Sequence, residues 1–432
     1  MIQVRKLRTA DAFREHVEAL GVALPFADEV DTGLLASAAP PSGNRFAILP
    51  MEGWDGTDDG RPTDLVRRRW SRFGTSGAGL IWGGEAVAVD PSGRANPHQL
   101  VIGPHVGELR ELLGADQYAG LQLTHSGRWS FAEPVTAGPN PVLDRRRPGR
   151  TITDTELDDL RGLYVEAAGV AAAAGFDFVD VKVCHGYLLH ELTAAGREQF
   201  VIDTIAAVRA AHPSIAVGVR LSVFDEVPHR PREEDGRGVP ERDAASFAPF
   251  GRPDDLAAPI DLVRRLVDAG VSLLCVTAGS PYYCPHVQRP AFFPPSDGYL
   301  PPEDPLVGVA RLLDATRAVK RAFPELPVVG TGYSYLQEWL PNIASAAVAQ
   351  GDVDVVGIGR MVLSYHDLPA DVMAGNGLDR RRICRTFSDC TTAPRNGLVS
   401  GCWPLDPEYK LRPDRPELAA AKRASRWTVS DN

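Results

Sequence analysis

The chain has 432 residues, 44% of them hydrophobic, which is enough for a large buried core and more than an ordinary single domain needs. Its formal net charge of -10 disfavours nucleic acid and anionic membranes as partners, and the run Arg145-Arg146-Arg147 reads as a solvated loop face. The opening residues Met1 to Leu7 lead into charged sequence with no apolar segment of signal-peptide or bilayer-spanning length, so a cytoplasmic protein with no membrane partner is expected.

Taken in order, residues 1–43 read as an N-terminal extension with a short helix near Asp11 to Leu20. Short apolar runs bounded by Gly, Pro or Asp then mark eight strands: Phe46 to Leu49, Gly79 to Trp82, Gly120 to Leu123, Phe178 to Val183, Ala216 to Leu221, Leu273 to Val276, Pro327 to Val329 and Val353 to Ile358. Amphipathic helices lie between them, at Asp154 to Ala174, Leu256 to Ala269, Pro305 to Phe323 and Leu336 to Gln350. This alternation predicts the α/β class and a (β/α)8 TIM barrel over residues 44–379, rather than an open doubly wound sheet, whose first-turn glycine fingerprint is missing. Long loops follow strands one, three and five, the last from Asp225 to Arg252, and loops of that length are functional or disordered. A tail over residues 380–432 carries a helix from Arg415 to Arg426.

The run Phe176 to Val181 reads as a buried parallel strand, and directly after it come Lys182, His185 and Tyr187, a cation, an imidazole and a phenol where a barrel keeps its chemistry. Such groups hold and protonate a polarised substrate; the bland alternative pairs Lys182 with Asp180 or Glu52 and leaves Tyr187 capping the core. Gln122 offers both a donor and an acceptor. Arg220 ends its strand at the barrel rim, where an unpaired guanidinium is costly, and its neighbours Val219 and Leu221 supply no acid. Gly332, Gly359 and Arg360 follow the last two strands, where backbone N–H groups and a helix N-terminus bind anions; alone, they read more readily as turn glycines beside a surface arginine.

Four segments in order resemble the old yellow enzyme family of flavin mononucleotide (FMN) oxidoreductases. They are Gln122 to Arg128 for its third strand, Asp180 to Glu191 for its fourth, Val217 to Ser222 for its fifth, and Gly330-Thr331-Gly332 with Val355 to Arg360 for its seventh and eighth. The similarity runs from about Asn44 to about Leu368. It implies an enzyme that takes hydride from NADH or NADPH onto FMN and passes it to a small-molecule substrate, an alkene conjugated to a carbonyl. It also implies that Gly332, Gly359 and Arg360 hold the flavin phosphate, Gln122 the pyrimidine edge and Arg220 the N1–O2 region. Pro50, Met51 and Glu52 would pass the dimethylbenzene and N5 region, with Ala86 behind the ring. Lys182 and His185 would clamp the substrate carbonyl, and Tyr187 would be the proton donor. Trp54, Tyr282, Tyr283 and His286 are expected to line the pocket from loops after strands one and six. His125 is expected to be structural, and homo-oligomerisation is left open.

The chain also departs from that family. Glu52 stands where relatives usually carry Thr or Cys, so it is protonated by burial, turned away, or binds a cation. Lys182 replaces one of a pair that is commonly His with His or Asn. After Ala195 the family's loop with a Tyr-Gly-Gly segment is missing, and the chain passes at once to Arg197-Glu198-Gln199-Phe200. Cys184, Cys275, Cys284, Cys384, Cys390 and Cys402 are expected to be mostly reduced thiols. The last three resemble the iron-sulfur segment of the dienoyl reductase branch, yet only the spacing from Cys390 to Cys402 agrees, and Phe387 stands where another ligand belongs. No metal is therefore expected, nor that branch's additional flavin and nicotinamide domains. Two other readings share the barrel: flavin-dependent oxidation of an amine or ring carbon, with Glu52 and Trp54 holding a cation, and a flavin- or ligand-binding barrel without redox turnover.

Overall fold

The computed structural model describes residues 1–424. Eight parallel strands close on themselves: β1 (Phe46–Ile48), β2 (Leu80–Ile81), β3 (Tyr118–Thr124), β4 (Phe178–Val183), β5 (Ala216–Ser222), β6 (Val271–Thr277), β7 (Val328–Gly330) and β8 (Val355–Ile358). Closure comes from β8 pairing with β1, with Phe46 opposite Val356, and from β2 pairing with both β1 and β3. Helices alternate with them: α1 (Asp64–Gly74), α2 (Val106–Glu111), α3 (Asp154–Ala173), α4 (Gln199–Ala211), α5 (Ala257–Asp268), α6 (Pro305–Ala322), α7 (Leu340–Ala349) and α8 (Leu368–Met373). The expected (β/α)8 TIM barrel is the observed architecture.

Strand alternation divides β4 between two cores. Phe178 packs inside the barrel with Ala47, Leu80, Trp82, Leu273, Cys275, Val329 and Val355, while Val179, Val181 and Val183 face the helices. The Phe178 ring meets Trp82 edge-on at 5.3 Å and stacks on Tyr118 at 5.3 Å. Gly120 makes room for it, because a Cβ there would fall 2.3 Å from the Phe178 ring. On α3, Thr153 accepts from the Glu156 N–H while the Glu156 carboxylate accepts from the Thr153 N–H, a capping box that fixes the helix start.

Two expected elements differ. The second strand breaks after Ile81 and resumes at Ala86–Ala88 against β3, because Gly83 and Gly84 take φ values of +148° and +54° between the two pieces. The helix expected from Leu336 begins instead at Leu340, after a 3-10 segment over Tyr333–Trp339. Pro341 explains this: it has no N–H for the carbonyl of Gln337, its ring opposes that carbonyl, and Gln337 swings to φ 54°. The connection after β4 is a short helix, Leu188–Ala194, and a four-residue link to α4.

The N-terminal segment packs on α7, where Phe13, Phe26 and Trp339 cluster at 5.5–5.7 Å. The tail carries a helix over Asp389–Arg395 and another over Arg415–Ala424, the expected last two residues of which lie outside the described residues. Arg68 and Arg72 of α1 hold the tail through Asp406, at 2.8 and 2.5 Å. No helix among the described residues is long and apolar enough to cross a membrane.

Candidate active site

A cavity of about 250 Å³ opens at the C-terminal ends of the strands. Pro50, Met51, Glu52, Trp54, Gln122, Lys182, His185, Tyr187, Arg220, Tyr282, Gly332, Gly359 and Arg360, all singled out from sequence, line it. Ala86 and Tyr283 do not. Glu85 takes the wall position beside Ala86, and Tyr283 turns its hydroxyl to Asp225, while the preceding Tyr282 faces the cavity. His286 also turns away, to the Tyr299 hydroxyl at 2.8 Å and to Glu226 at 3.3 Å.

The end of β4 supplies one wall. His185 has a φ of +66°, a left-handed conformation uncommon outside glycine. It is held there by its N–H donating to Ser222 Oγ at 3.1 Å and by its carbonyl accepting from Ser280 Oγ at 2.8 Å. Burial, then the charges of Arg220 and Lys182, keep its imidazole neutral, well below the ordinary range. Lys182 is 5% exposed, and its Nζ lies 3.5 Å from the centroid of the Tyr187 ring, with no ion-pair partner among the described residues. Burial lowers the Lys182 pKa against the opposing charges of Cys184 and Glu52. The Tyr187 hydroxyl lies 3.0 Å from that of Tyr282, whose ring stacks on Trp129 at 4.2 Å.

Beneath this wall lies Asp180, expected only as a partner for Lys182. Its Oδ2 accepts from Gln122 Nε2 at 2.5 Å and from Trp82 Nε1 at 2.7 Å, and its Oδ1 accepts from the Arg220 N–H at 2.7 Å. Burial pushes its carboxyl up to about 6 against those donors. Arg220 Nη1 donates to the Pro50 carbonyl at 3.2 Å, and Nε has no partner. No carboxylate lies within ion-pair distance of its guanidinium among the described residues.

Glu52 faces the cavity with Asn96 Nδ2 at 3.3 Å, and burial raises its carboxyl although Lys182 opposes the shift. Behind it Arg69 bridges Glu85 at 2.7 Å and Asp55 at 2.6 Å. Burial, with Asp55 nearby, raises Glu85 to about 7. A Cβ at Gly53 would lie 2.3 Å from the Glu85 carboxylate, so a side chain there would displace Glu85 from its place beside Arg69.

The opposite wall comes from β7, β8 and the tail. Gly332, at φ +99°, precedes the 3-10 segment, Ser334 Oγ accepts the Gly359 N–H at 3.2 Å, and a Cβ at Gly359 would enter open space. Thr331 Oγ1 and Arg360 Nη1 are buried without partners. Arg289, Cys390, Arg395 and Ser400 also line the cavity. Nothing in their local sequence pointed to this, because they lie in non-periodic loops. Cys384, Cys390 and Cys402 do not bring their sulfurs together as a ligand set. The group that does, Glu226, His229 and His286 within 4.8 Å, is a closed network in which Arg311 and Tyr299 occupy Glu226 and His286.

His125 accepts from the Gly127 N–H at 3.1 Å, and burial lowers it to about 4, in keeping with a structural residue. Next to it Arg128 binds Glu191 and Asp144, both at 2.6 Å.

Residues 43–236 match the NADH:flavin oxidoreductase / NADH oxidase family. The putative 12-oxophytodienoate reductase 12 of Oryza sativa subsp. japonica is 28% identical over 357 residues, 74% of this chain and 77% of that protein. Among solved structures, a 2-naphthoyl-CoA reductase aligns with a TM-score of 0.65 at 16% identity, over 88% of this chain and 57% of that one. Histamine dehydrogenase from Rhizobium sp. 4-9 aligns with 0.63 at 17% identity, over 86% and 52%. The chain thus spans little more than half the length of these two, and at such identity they show the fold alone. The family match, the rice relative and the ordered strand motifs agree: the chain resembles the old yellow enzyme family of NADH:flavin oxidoreductases.

Proposed function

We propose that the protein is an FMN-dependent oxidoreductase that takes hydride from NADH or NADPH and reduces an alkene conjugated to a carbonyl. The observation that carries this reading is the convergence of Lys182, His185 and Tyr187 on one wall of a cavity whose other walls hold unpartnered anion-binding groups. The residues present fit the cofactor. Buried Thr331 Oγ1 and Arg360 Nη1 lack partners beside the open space at Gly359, as a phosphate subsite requires, and Arg220 Nε lacks one at the β5 end. Gln122, tied to Asp180 through its nitrogen, keeps its carbonyl oxygen for a ring N–H.

When bound, FMN supplies the hydride that reaches the alkene carbon. The chain's own groups do the rest. Lys182 and a neutral His185 donate to the substrate carbonyl oxygen and stabilise the negative charge that develops there. Tyr187 gives its phenolic proton to the other alkene carbon, and Tyr282, 3.0 Å away, stands ready to return one. The cation–π contact with Lys182 eases the loss of that proton, since positive charge lies against the ring. Purified protein should be yellow, bleach under anaerobic NAD(P)H and recolour with an enone. Bleaching that no enone reverses would sink the reading.

A second reading, oxidation of an amine, is favoured by Glu52 beside Trp54 in the cavity wall. Bleaching by an N-methylated amine but not by NAD(P)H would select it.

A further inference from the structure

The reaction just proposed leaves two guanidinium groups of the cavity wall without a task. Arg289 follows the short helix Pro285–Gln288 in the loop after β6, and Arg395 ends the tail helix Asp389–Arg395. Arg289 donates through Nη1 to the Thr391 hydroxyl, and its buried Nη2 has no partner. No carboxylate lies within ion-pair distance of Arg289 among the described residues. Arg395 is braced from behind, by Asp297 at 2.5 Å and the Pro281 carbonyl at 3.3 Å. Burial and the charges of Arg395 and Arg360 depress Arg289 to about 9. Guanidinium groups enclosed together with so few acids are unfavourable until an anion joins them.

The phosphate subsite accounts for Arg360. Arg289 lies between the two walls, since its neighbour Gln288 reaches His185 Nε2 at 3.4 Å while Arg360 donates to the Pro290 carbonyl at 2.9 Å. The charges of Arg289 and Arg395 bear on Tyr282, and that of Arg395 on Glu52. We infer that Arg289, aided by Arg395, binds a carboxylate of the substrate, so that the substrate class is a carbonyl-conjugated alkene that also carries an acidic group. This inference rests on the ene-reduction reading for the reaction, whereas the anion site is measurable on its own. A guanidinium fork matches a carboxylate in two parallel hydrogen bonds, and the same chemistry suits a phosphate of the flavin or of the nicotinamide cofactor.

The probes are 4-oxo-2-pentenoate and its methyl ester, titrated by calorimetry into the oxidised holoenzyme and then assayed as hydride acceptors. The acid should bind about tenfold or more tightly than the ester, the difference expected of one charge-assisted pair. Arg289→Gln should bring that ratio close to one while flavin stays bound, and Arg289→Lys should restore part of it. Arg395→Gln, a second variant in case the first does not fold, should lower the ratio less. Equal binding of acid and ester by the unaltered protein overturns the inference. So does a loss of flavin in Arg289→Gln, which would assign the group to the cofactor phosphate, or a selective loss of NADPH affinity, which would assign it to the nucleotide. Arg289-dependent binding of an acid that is never reduced supports the anion site and removes the ene-reduction reading instead.

Discussion

The inside of the barrel changes character along a single strand. On β4 the inward residues are Phe178, Asp180 and Lys182, in that order, and they lead from a dry plug to a charged mouth. The plug is apolar and tightly fitted, with Phe178 wedged between Trp82, Tyr118 and the bare backbone of Gly120. The mouth holds Arg220 Nε, Gln288 Oε1, Arg289 Nη2, Thr331 Oγ1 and Arg360 Nη1, all buried and unpartnered. The lower layer therefore contributes stability and no chemistry, whereas the upper layer keeps its polar groups unsatisfied until ligands arrive.

Substitutions in the two layers break or sharpen that contrast. Phe178→Ala should cost about 3–5 kcal/mol of stability by opening a cavity in the plug, read as a fall in the denaturant midpoint. A comparable loss from Lys182→Ala at the mouth would erase the distinction. Tyr187→Phe should slow the alkene half-reaction about a hundredfold or more in stopped flow, with a much smaller effect on flavin reduction by NAD(P)H. Arg220→Ala should weaken FMN binding roughly ten- to a hundredfold, the worth of a hydrogen bond to a charged group, seen as released flavin fluorescence.

The smallest effect is expected at the boundary, from Asp180→Asn. The folded carboxyl titrates near 6 against a reference of 3.8. Between those values the folded chain keeps a proton that the unfolded chain has lost. That contribution to stability is present at low pH and disappears as pH rises through about 4 to 6. Asp180→Asn should flatten the slope of stability against pH over this window, and an unchanged slope would assign it to other carboxyls.

Much of this is legible in the sequence. The strand at Phe178 to Val183 was bounded correctly because six consecutive buried positions leave a continuous signal, and the groups beyond it converge because all follow strand ends of one barrel. The break in the second strand was not legible, since Gly83-Gly84 reads equally as the end of a strand. Nor was the turning of Tyr283: adjacent tyrosines in a loop carry no period, and what decides between them is Asp225, 58 residues away in sequence. Arg289 and Arg395 escaped for a similar reason, being brought to the cavity by a loop and a tail rather than by a strand.

The left-handed backbone at His185 bears on how the site is probed. Alanine there removes the imidazole and also favours a different peptide geometry, so its phenotype mixes two causes. Asparagine tolerates that geometry and keeps a hydrogen-bonding side chain, so it replaces the ring while the bend is kept, whereas glycine removes the ring and relaxes the backbone together. Alanine and glycine both lack the ring and differ in how they tolerate the bend, so their difference reports the bend, while asparagine reports the ring.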